Sequence, residues 1–302
     1  MTNTTYKKSI LANVSATNGS ENQDCCSEFE CKTFNAIFVS DGLGSCKYAK
    51  LSSEKVIDAF KSQASSWAKK NDKKLKVKFP ETFKKVKKEL IDFRNKNITE
   101  EEKNQQNLFG ATAIALLETE EKITIAYVGN GSIWHVRGNF NEFPDNYLFP
   151  WNAVNYLNPH TTPEKGQEVL YRLVSDSDNF TECVPTIFEI KKDNSIGDIF
   201  MVCTDGIYSE DQLRVGKNDK GIWVHYTPIM LKFFNFLKHY FKDYQPYDTG
   251  NFKEALSHFI NDLKPILDDD ATIGVLITKE TLNFQNQINM LKKDENNSGK
   301  TI

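Results

Sequence analysis

Acidic residues stand at the boundaries of three apolar segments that are far apart in the sequence. Asp41 and Asp205 each end such a segment and precede a glycine, whereas Asp269 lies just before one. A single Asp-Gly pair is typical of a turn. Three acids attached to strand-like segments can instead meet at one sheet edge, if their strands are neighbours. Because hard divalent cations prefer oxygen ligands, the pattern indicates a site for Mg²⁺ or Mn²⁺ and not for zinc or copper.

Short apolar segments bounded by turn residues predict the strands that would carry these acids. The predicted strands cover 35–41, 109–117, 123–128, 133–137, 186–190, 198–204 and 271–278, with an edge strand within 9–18. The glycines of 129–132 predict a tight hairpin, so that three consecutive strands would form an antiparallel meander. Helical spacing predicts helices after Ser52 or Ser53, within the lysine-rich stretch 69–90, and over 228–244 and 251–267. Many strands with helices in two groups favour an α+β sandwich of stacked sheets flanked by helices.

Two regions lack such a pattern. Residues 139–184 contain Pro144, Pro150, Pro159 and Pro163 and show no regular spacing, which predicts a mobile surface loop. Residues 281–302 are polar, and we predict a flexible tail there. The remaining residues, 1–280, are predicted to form a single domain.

Composition excludes several classes of protein. The chain has 302 residues, of which 39% are apolar, so it can form a substantial core. A net charge of −3 does not favour nucleic-acid binding, and no run of about 18 apolar residues predicts a membrane span. Six cysteines in so long a chain show no disulfide framework and no zinc spacing. We therefore expect free thiols, a cytoplasmic protein, and neither a nucleic-acid nor a membrane partner.

Taken in order, short motifs along the chain resemble those of the metal-dependent protein serine/threonine phosphatases of the PP2C (PPM) family, in particular its bacterial branch. The matching segments are Asn22-Gln-Asp24, Val39-Ser-Asp-Gly-Leu-Gly44, Gly110-Ala-Thr-Ala113, Val128-Gly-Asn-Gly-Ser132, Thr204-Asp-Gly206 and Asp269-Asp-Ala-Thr272. Each motif is weak by itself, but their order and strand contexts together form a specific signal. The resemblance covers about residues 10–278.

The resemblance implies a four-layer αββα sandwich, in which two central antiparallel sheets are flanked by helices, with two Mg²⁺ or Mn²⁺ ions at one end. It implies that Asp41 bridges the two ions and that the Gly42 carbonyl binds one of them. Asp205 and Asp269 would hold the other, and Asp24 would bind directly or through water. The catalytic residues would be Asp41, Asp205 and Asp269, and the reaction would use metal-activated water and no protein nucleophile.

Three positions depart from the family pattern. Gly19 stands where the family usually carries an arginine that clamps the substrate phosphate, and glycine cannot replace a bidentate guanidinium. Asn130 and Ser209 stand where acids support a third, weaker metal ion. We therefore expect the third metal site to be absent or weak. A one-residue shift of the last motif, from Asp269 to Asp270, is the alternative alignment.

The resemblance implies a hydrolase that removes phosphate from phosphoserine or phosphothreonine in proteins, with a serine/threonine kinase as its counterpart. Retention of the three aspartates favours this reading. The alternative is a catalytically impaired pseudophosphatase that binds phosphoproteins as a regulator or scaffold, which Gly19, Asn130 and Ser209 favour. Hydrolysis of a small phosphorylated metabolite is a third possibility, because the substrate groove is not readable from sequence.

Overall fold

A computed structural model describes residues 5–19, 21–70, 75–138, 153–177, 183–217, 220–242 and 246–298 of the chain. Parts of the predicted loop 139–184, namely 139–152 and 178–182, lie outside the described residues. No helix within the described ranges is long and apolar enough to cross a membrane.

The strands are short, and every pair between them is antiparallel. In chain order they are β1 (Ile10–Ala16), β2 (Asp24–Glu30), β3 (Asn35–Asp41), β4 (Gly110–Ala111), β5 (Ala113–Glu118), β6 (Lys122–Val128), β7 (Ser132–Val136), β8 (Ala153–Asn155), β9 (Thr161–Glu164), β10 (Gln167–Leu170), β11 (Val174–Ser175), β12 (Thr186–Lys191), β13 (Ile199–Cys203), β14 (Arg214–Lys217), β15 (Trp223–Tyr226) and β16 (Ala271–Ile277). The α-helices are α1 (Ala49–Lys69), α2 (Phe79–Asn97), α3 (Asp205–Tyr208), α4 (Pro228–Lys242), α5 (Thr249–Leu263) and α6 (Lys279–Ser298).

Two five-stranded sheets form the centre of the molecule. Sheet A has the strand order β1-β16-β13-β7-β8, and sheet B has the order β12-β6-β5-β3-β2. Their facing sides form one buried layer, to which sheet B contributes Ile37 and Val39 and sheet A contributes Val202. The sheets approach so closely at Gly274 that a Cβ there would lie 2.6 Å from Ile37 Cγ2.

Helices cover the outer face of each sheet. On sheet B, Ala36 and Phe38 alternate with the inward-facing residues of β3 and pack under α1 and α2. On sheet A, Met201 and Val275 pack under α4 and α5. These four layers confirm the predicted α+β sandwich of two antiparallel sheets flanked by helices.

The predicted three-strand meander is wrong. The strands β5 and β6 pair in sheet B, but β7 pairs with β13 in sheet A. The turn between β6 and β7 therefore carries the chain from one sheet to the other. Gly129 and Gly131 have φ values of 101° and 119°, a region that favours glycine. A Cβ on Gly131 would lie 2.3 Å from the Cys203 carbonyl oxygen, so this crossing is tightly packed.

The prediction of a flexible tail over 281–302 is also wrong for the residues described, because they belong to α6. Leu282, Gln285 and Asn289 are buried along one side of this helix. Gln285 Nε2 donates to the Gly138 carbonyl at 2.9 Å, and Asn289 Nδ2 donates to the Phe241 carbonyl at 2.7 Å. Because two of these buried positions are amides, the helix lacks the apolar stripe that identifies an amphipathic helix in a sequence.

The predicted loop 139–184 contains regular structure in its described part. Strand β8 is the edge strand of sheet A, β9 and β10 form a hairpin, and β11 pairs with β4. Each is only two to four residues long, which is too short for a periodicity to show. The single predicted strand 109–117 is divided at Thr112 into β4 and β5, and β2, α3, β14 and β15 were not predicted.

Candidate metal centre

The carboxylates that the sequence singles out lie at one end of the two central sheets. Asp41 is the last residue of β3 and Asp24 is the first of β2, and the two are directly paired in the ladder. Directly paired residues point to the same face of a sheet, so their side chains are neighbours. In sheet A, Asp205 follows β13 and Asp269 precedes β16, and these two strands are antiparallel partners. The end of one therefore lies beside the start of the other.

A cavity of about 420 Å³ opens at this end of the molecule, and its lining is strongly acidic. The acidic residues that line it are Glu21, Asp41, Asp205, Asp269 and Asp270. Gly42 also borders the cavity, whereas Asp24 is 8% exposed and pairs with Asp41. Four of the five predicted site residues thus share one cavity, and the fifth is buried beside it. No lysine or arginine of the described ranges lines it.

The electrostatics of this cluster oppose its own ionisation. Burial, and then the negative charges of Asp205, Asp24 and Asp269, hold the pKa of Asp41 well above the usual range for an aspartate. Burial also raises the pKa of Asp24 to about 7, although hydrogen bonds from neighbouring threonines lower it. Without a compensating positive charge, these carboxyls retain protons at a pH where ordinary aspartates are ionised.

One buried oxygen in the cluster has no hydrogen-bond partner in the described structure, Oδ1 of Asp24. Buried carboxylate oxygens are normally paired, so an unpaired one among other carboxylates suits a cation. The donors are oxygens throughout, which fits Mg²⁺ or Mn²⁺. Within the described ranges, no three His, Cys, Asp or Glu side chains form a metal-binding group by themselves. A coordination shell here would therefore also need backbone carbonyls, such as that of Gly42, and water.

Thr204 orients the buried carboxylate. Its Oγ1 donates to Asp24 Oδ2 at 2.7 Å and accepts from the Thr272 amide at 2.9 Å. Thr204 therefore links the start of β16 in sheet A to the first residue of β2 in sheet B. The Thr-Asp-Gly motif is visible in the sequence, but it does not indicate this role for Thr204.

Asn130 holds Asp205 in place. Its Nδ2 donates to Asp205 Oδ2 at 2.8 Å, while its own Oδ1 is buried without a partner. An acid at this position would repel Asp205, whereas the amide donates to it. Ser209 does not reach the carboxylate, because its hydroxyl donates to the backbone carbonyl of Asp205 at 2.8 Å. The two positions where the family has acids are thus occupied by neutral side chains that bind Asp205.

Asp270 serves a different purpose from Asp269. Its two carboxylate oxygens accept the backbone amides of Asn18 at 2.8 Å and Gln23 at 2.7 Å, so it anchors the loop that precedes β2. Asp269 is exposed, and only one of its oxygens is engaged, by the Asp270 amide at 2.8 Å. Although Asp269 is exposed overall, partial desolvation of its carboxyl group is the first cause of its raised pKa, and the negative charges of Asp205 and Asp270 add to it. These contacts leave one carboxylate oxygen of Asp269 without a hydrogen bond in the described structure, whereas both oxygens of Asp270 are engaged.

The backbone at Gly42 passes too close to α1 for any side chain. A Cβ there would lie 2.1 Å from the Ala49 carbonyl oxygen. The Gly42 amide donates to the Gln23 carbonyl at 3.2 Å, and the Leu43 amide donates to Gly110 at 2.9 Å. The Asp-Gly-x-Gly segment is therefore held on both sides, and this fixes the position of Asp41.

A larger cavity, of about 770 Å³, lies between α4 and α5. Its lining includes the aromatic residues Phe236, Tyr240, Tyr247 and Phe259, and the one acidic residue that lines it is Asp262. None of the predicted site residues borders it. Size alone therefore does not identify the candidate site, whose distinguishing property is the convergence of carboxylates.

A family model described as "Protein phosphatase 2C" matches residues 14–261 of the chain. No curated protein matches the chain at a significant level.

Solved phosphatases share the fold at low sequence identity. A bacterial serine phosphatase has a TM-score of 0.57 and 14% identity, over 89% of this chain and 97% of that one. The S. agalactiae serine/threonine phosphatase has a TM-score of 0.56 and 15% identity, over 89% and 99% of the two chains. The catalytic domain of the serine threonine protein phosphatase PstP, solved with 2 manganese ions, has a TM-score of 0.52 and 15% identity, over 89% and 98%. At these identities the likeness establishes the fold.

Proposed function

Because the chain belongs to the protein phosphatase 2C family, we propose that it is a metal-dependent phosphatase that hydrolyses phosphoserine and phosphothreonine in proteins. One observation carries the proposal: carboxylates from both sheets converge on one cavity, where burial and the neighbouring negative charges raise the pKa of Asp41. A cluster of this kind is stabilised when divalent cations bind it, since the cations favour the ionised carboxylates. The likeness to a PstP domain solved with 2 manganese ions supports the same choice of metal.

In this proposal Asp41, the Gly42 carbonyl, Asp205 and Asp269 would hold the ions, and Asp24 would bind directly or through water. The bound Mg²⁺ or Mn²⁺ pair would supply Lewis acidity, which lowers the pKa of water and neutralises charge on the phosphoryl oxygens. The third ion of the family is expected to be absent or weak, because Asn130 and Ser209 are neutral.

The remaining residues of the site orient these ligands. The Thr204 hydroxyl donates to Asp24 and leaves the other oxygen of that carboxylate free for a cation. The Asn130 amide fixes the rotamer of Asp205. Asp270 holds the loop before β2 against the start of β16. Outer contacts of this kind position ligands in many metal sites.

Recognition of the substrate phosphate would depend on the ions to an unusual degree. Gly19 borders the cavity with no atom within 4 Å of the position its Cβ would take, and no described lysine or arginine lines the cavity. A phosphate dianion meets an acidic surface there unless cations are bound. We therefore expect little binding of phosphate in the absence of metal. The phosphoproteins themselves would be supplied by a serine/threonine kinase.

The test is hydrolysis of p-nitrophenyl phosphate and of a phosphothreonine peptide, with and without Mn²⁺. The natural chain is expected to show Mn²⁺-stimulated turnover, and Asp41→Asn is expected to lose it by about two orders of magnitude or more. Asp58→Asn is the matched control, because Asp58 is exposed on α1, and its activity should be unchanged. Since Asp41→Asn removes a repelled carboxyl, the metal-free variant should be no less stable than the natural chain. Equal activity of the two variants would refute the proposal.

A second candidate function is a pseudophosphatase that binds metal or phosphoprotein without turnover. The observation that favours it is the uncharged lining at Gly19 together with Asn130 beside Asp205. Mn²⁺ binding by calorimetry without hydrolysis of either substrate would support this second candidate.

A further inference from the structure

A β-hairpin formed by β14 and β15 follows the candidate site directly in the chain. We call residues 212–217 and 220–227 the basic hairpin; residues 218–219 lie outside the described part of the chain. β14 and β15 pair with each other and belong to a separate two-stranded sheet. The outer edge of each strand is therefore left without a strand partner among the described elements.

The basic hairpin exposes large apolar side chains. The exposed fractions are 64% for Leu213, 56% for Val215, 57% for Ile222 and 66% for Trp223. In the described part of the chain, no other element carries more than one large apolar residue that is exposed to a comparable degree. Several exposed apolar side chains on one small element mark a surface that a partner covers.

Cationic side chains are interspersed with the apolar ones. Val215 is paired with His225 and Lys217 with Trp223, so these four side chains share one face of the hairpin. Lys217 Nζ lies 5.0 Å from the centre of the Trp223 ring. Arg214 is also exposed, but it alternates with Val215 along β14 and therefore lies on the other face. The face is therefore both apolar and positive, in contrast to the acidic cavity.

The base of the hairpin is fixed to the candidate site. The Asp211 amide donates to the Ile207 carbonyl at 3.0 Å, which ties the start of the hairpin to α3, whose first residue is Asp205. The Asp211 carboxylate accepts the amides of Ile229 at 2.8 Å and Met230 at 3.1 Å, which ties its end to α4. The hairpin therefore projects from an anchored base a few residues from a candidate metal ligand.

We propose that the basic hairpin is a docking surface for an acidic, apolar-containing segment of the phosphoprotein substrate, beside the residue that is dephosphorylated. The inference rests on the proposed function. An acidic side chain would pair with Lys217, and an apolar side chain would pack on Trp223 and Val215. An extended segment can also pair with a free strand edge, which a lipid surface cannot do. This edge and the link to Asp205 favour a protein segment over a membrane.

The experiment compares two phosphothreonine peptides that differ only in their flanking residues, one acidic with a leucine and one with lysines in place of the acids. The variant Lys217→Glu with Trp223→Ser is expected to raise KM for the acidic peptide about tenfold. Its kcat, and its turnover of p-nitrophenyl phosphate, should be unchanged. Leu291→Ser with Lys84→Glu is the matched control, since both residues are exposed on helices α6 and α2, outside the hairpin. This double variant should behave as the natural chain does.

Other outcomes separate this inference from the proposed function. Equal KM values for the two peptides, unaffected by the hairpin variant, would overturn the docking surface while p-nitrophenyl phosphate turnover upheld the phosphatase. If nothing is hydrolysed, anisotropy of the fluorescein-labelled acidic peptide still decides the inference, because binding should weaken about tenfold in the hairpin variant only. Hairpin-dependent sedimentation with phosphatidylserine vesicles, or hairpin-dependent dimers in ultracentrifugation, without a peptide effect would overturn it.

Discussion

Replacing Thr204 by valine should weaken metal binding through a residue that does not itself bind metal. Valine has nearly the shape of threonine, but it lacks the hydroxyl that donates to Asp24 Oδ2 at 2.7 Å and accepts from the Thr272 amide at 2.9 Å. Thr204 is 1% exposed, so water cannot replace either bond. The loss frees the Asp24 side chain to rotate, and it removes a hydrogen bond that lowers the pKa of Asp24.

The size of both effects follows from these contacts. A lost hydrogen bond to a carboxylate costs about 1.5–3 kcal/mol, and a buried amide without an acceptor costs about 1–3 kcal/mol. The free energy of unfolding should therefore fall by roughly 3–5 kcal/mol, since the two terms are not fully additive. Removal of an outer contact to a metal ligand weakens metal affinity by about 10–100-fold. Because the pKa of Asp24 rises further, this loss should be larger at pH 6 than at pH 8.

Thr278→Val is the matched control. Thr278 is 0% exposed, and its Oγ1 accepts the Asp198 amide at 2.9 Å, far along β16 from the carboxylate cluster. Urea unfolding should show a loss of stability for both variants. Titration calorimetry with Mn²⁺ should show a higher Kd for Thr204→Val alone. If both variants bind Mn²⁺ as the natural chain does, or if both are weakened equally, the reasoning about Thr204 is wrong.

Three further predictions concern the scaffold. Lys192→Met should cost about 3–5 kcal/mol in urea unfolding, because it removes the only positive charge that is paired with the buried Glu118 carboxylate in the described structure, at 2.8 Å. Lys122→Met, at a more exposed ion pair, should cost under about 1 kcal/mol, and equal losses would contradict this. Burial lowers the pKa of His160 to about 4, so between about pH 6.5 and pH 4 the unfolded chain binds a proton that the folded chain does not, and the free energy of unfolding should fall as the pH falls through this range. An unchanged dependence of the free energy of unfolding on pH in His160→Gln would count against this. Gly42→Ala should lower the free energy of unfolding in urea by about 1–3 kcal/mol or more, because the new Cβ would lie 2.1 Å from the Ala49 carbonyl oxygen. In Gly44→Ala the atom nearest to the new Cβ is 3.7 Å away, so its stability should stay within about 1 kcal/mol of the natural chain, and equal stability of the two variants would exclude this steric cause.

The strands that end in acids were predictable because their signals are local. An apolar run that stops at Asp41 or Asp205 is visible in a few consecutive residues, and burial of both sheet faces produces such runs. The layered arrangement followed from the grouping of helices and strands. Whether the acids converge on one cavity depends on which strands are neighbours in space. Local patterns do not indicate this, and it was expected only because the ordered motifs resemble a known family.

Other features depend on contacts between distant residues and could not be predicted. The role of Thr204 requires β2 and β16 to meet beside it, and these lie far apart in the chain. The difference between Asp269 and Asp270 arises from the loop that Asp270 anchors. The crossing of the chain between the sheets at Gly131 uses residues that are equally typical of a hairpin turn.

The position of manganese in crystals of the natural chain, located by its anomalous scattering, tests most directly whether these carboxylates form a metal centre. Anomalous peaks are expected in the acidic cavity, between the carboxylates of Asp41, Asp205 and Asp269. Crystals grown with saturating Mn²⁺ that show no peak within reach of these three side chains would contradict this expectation.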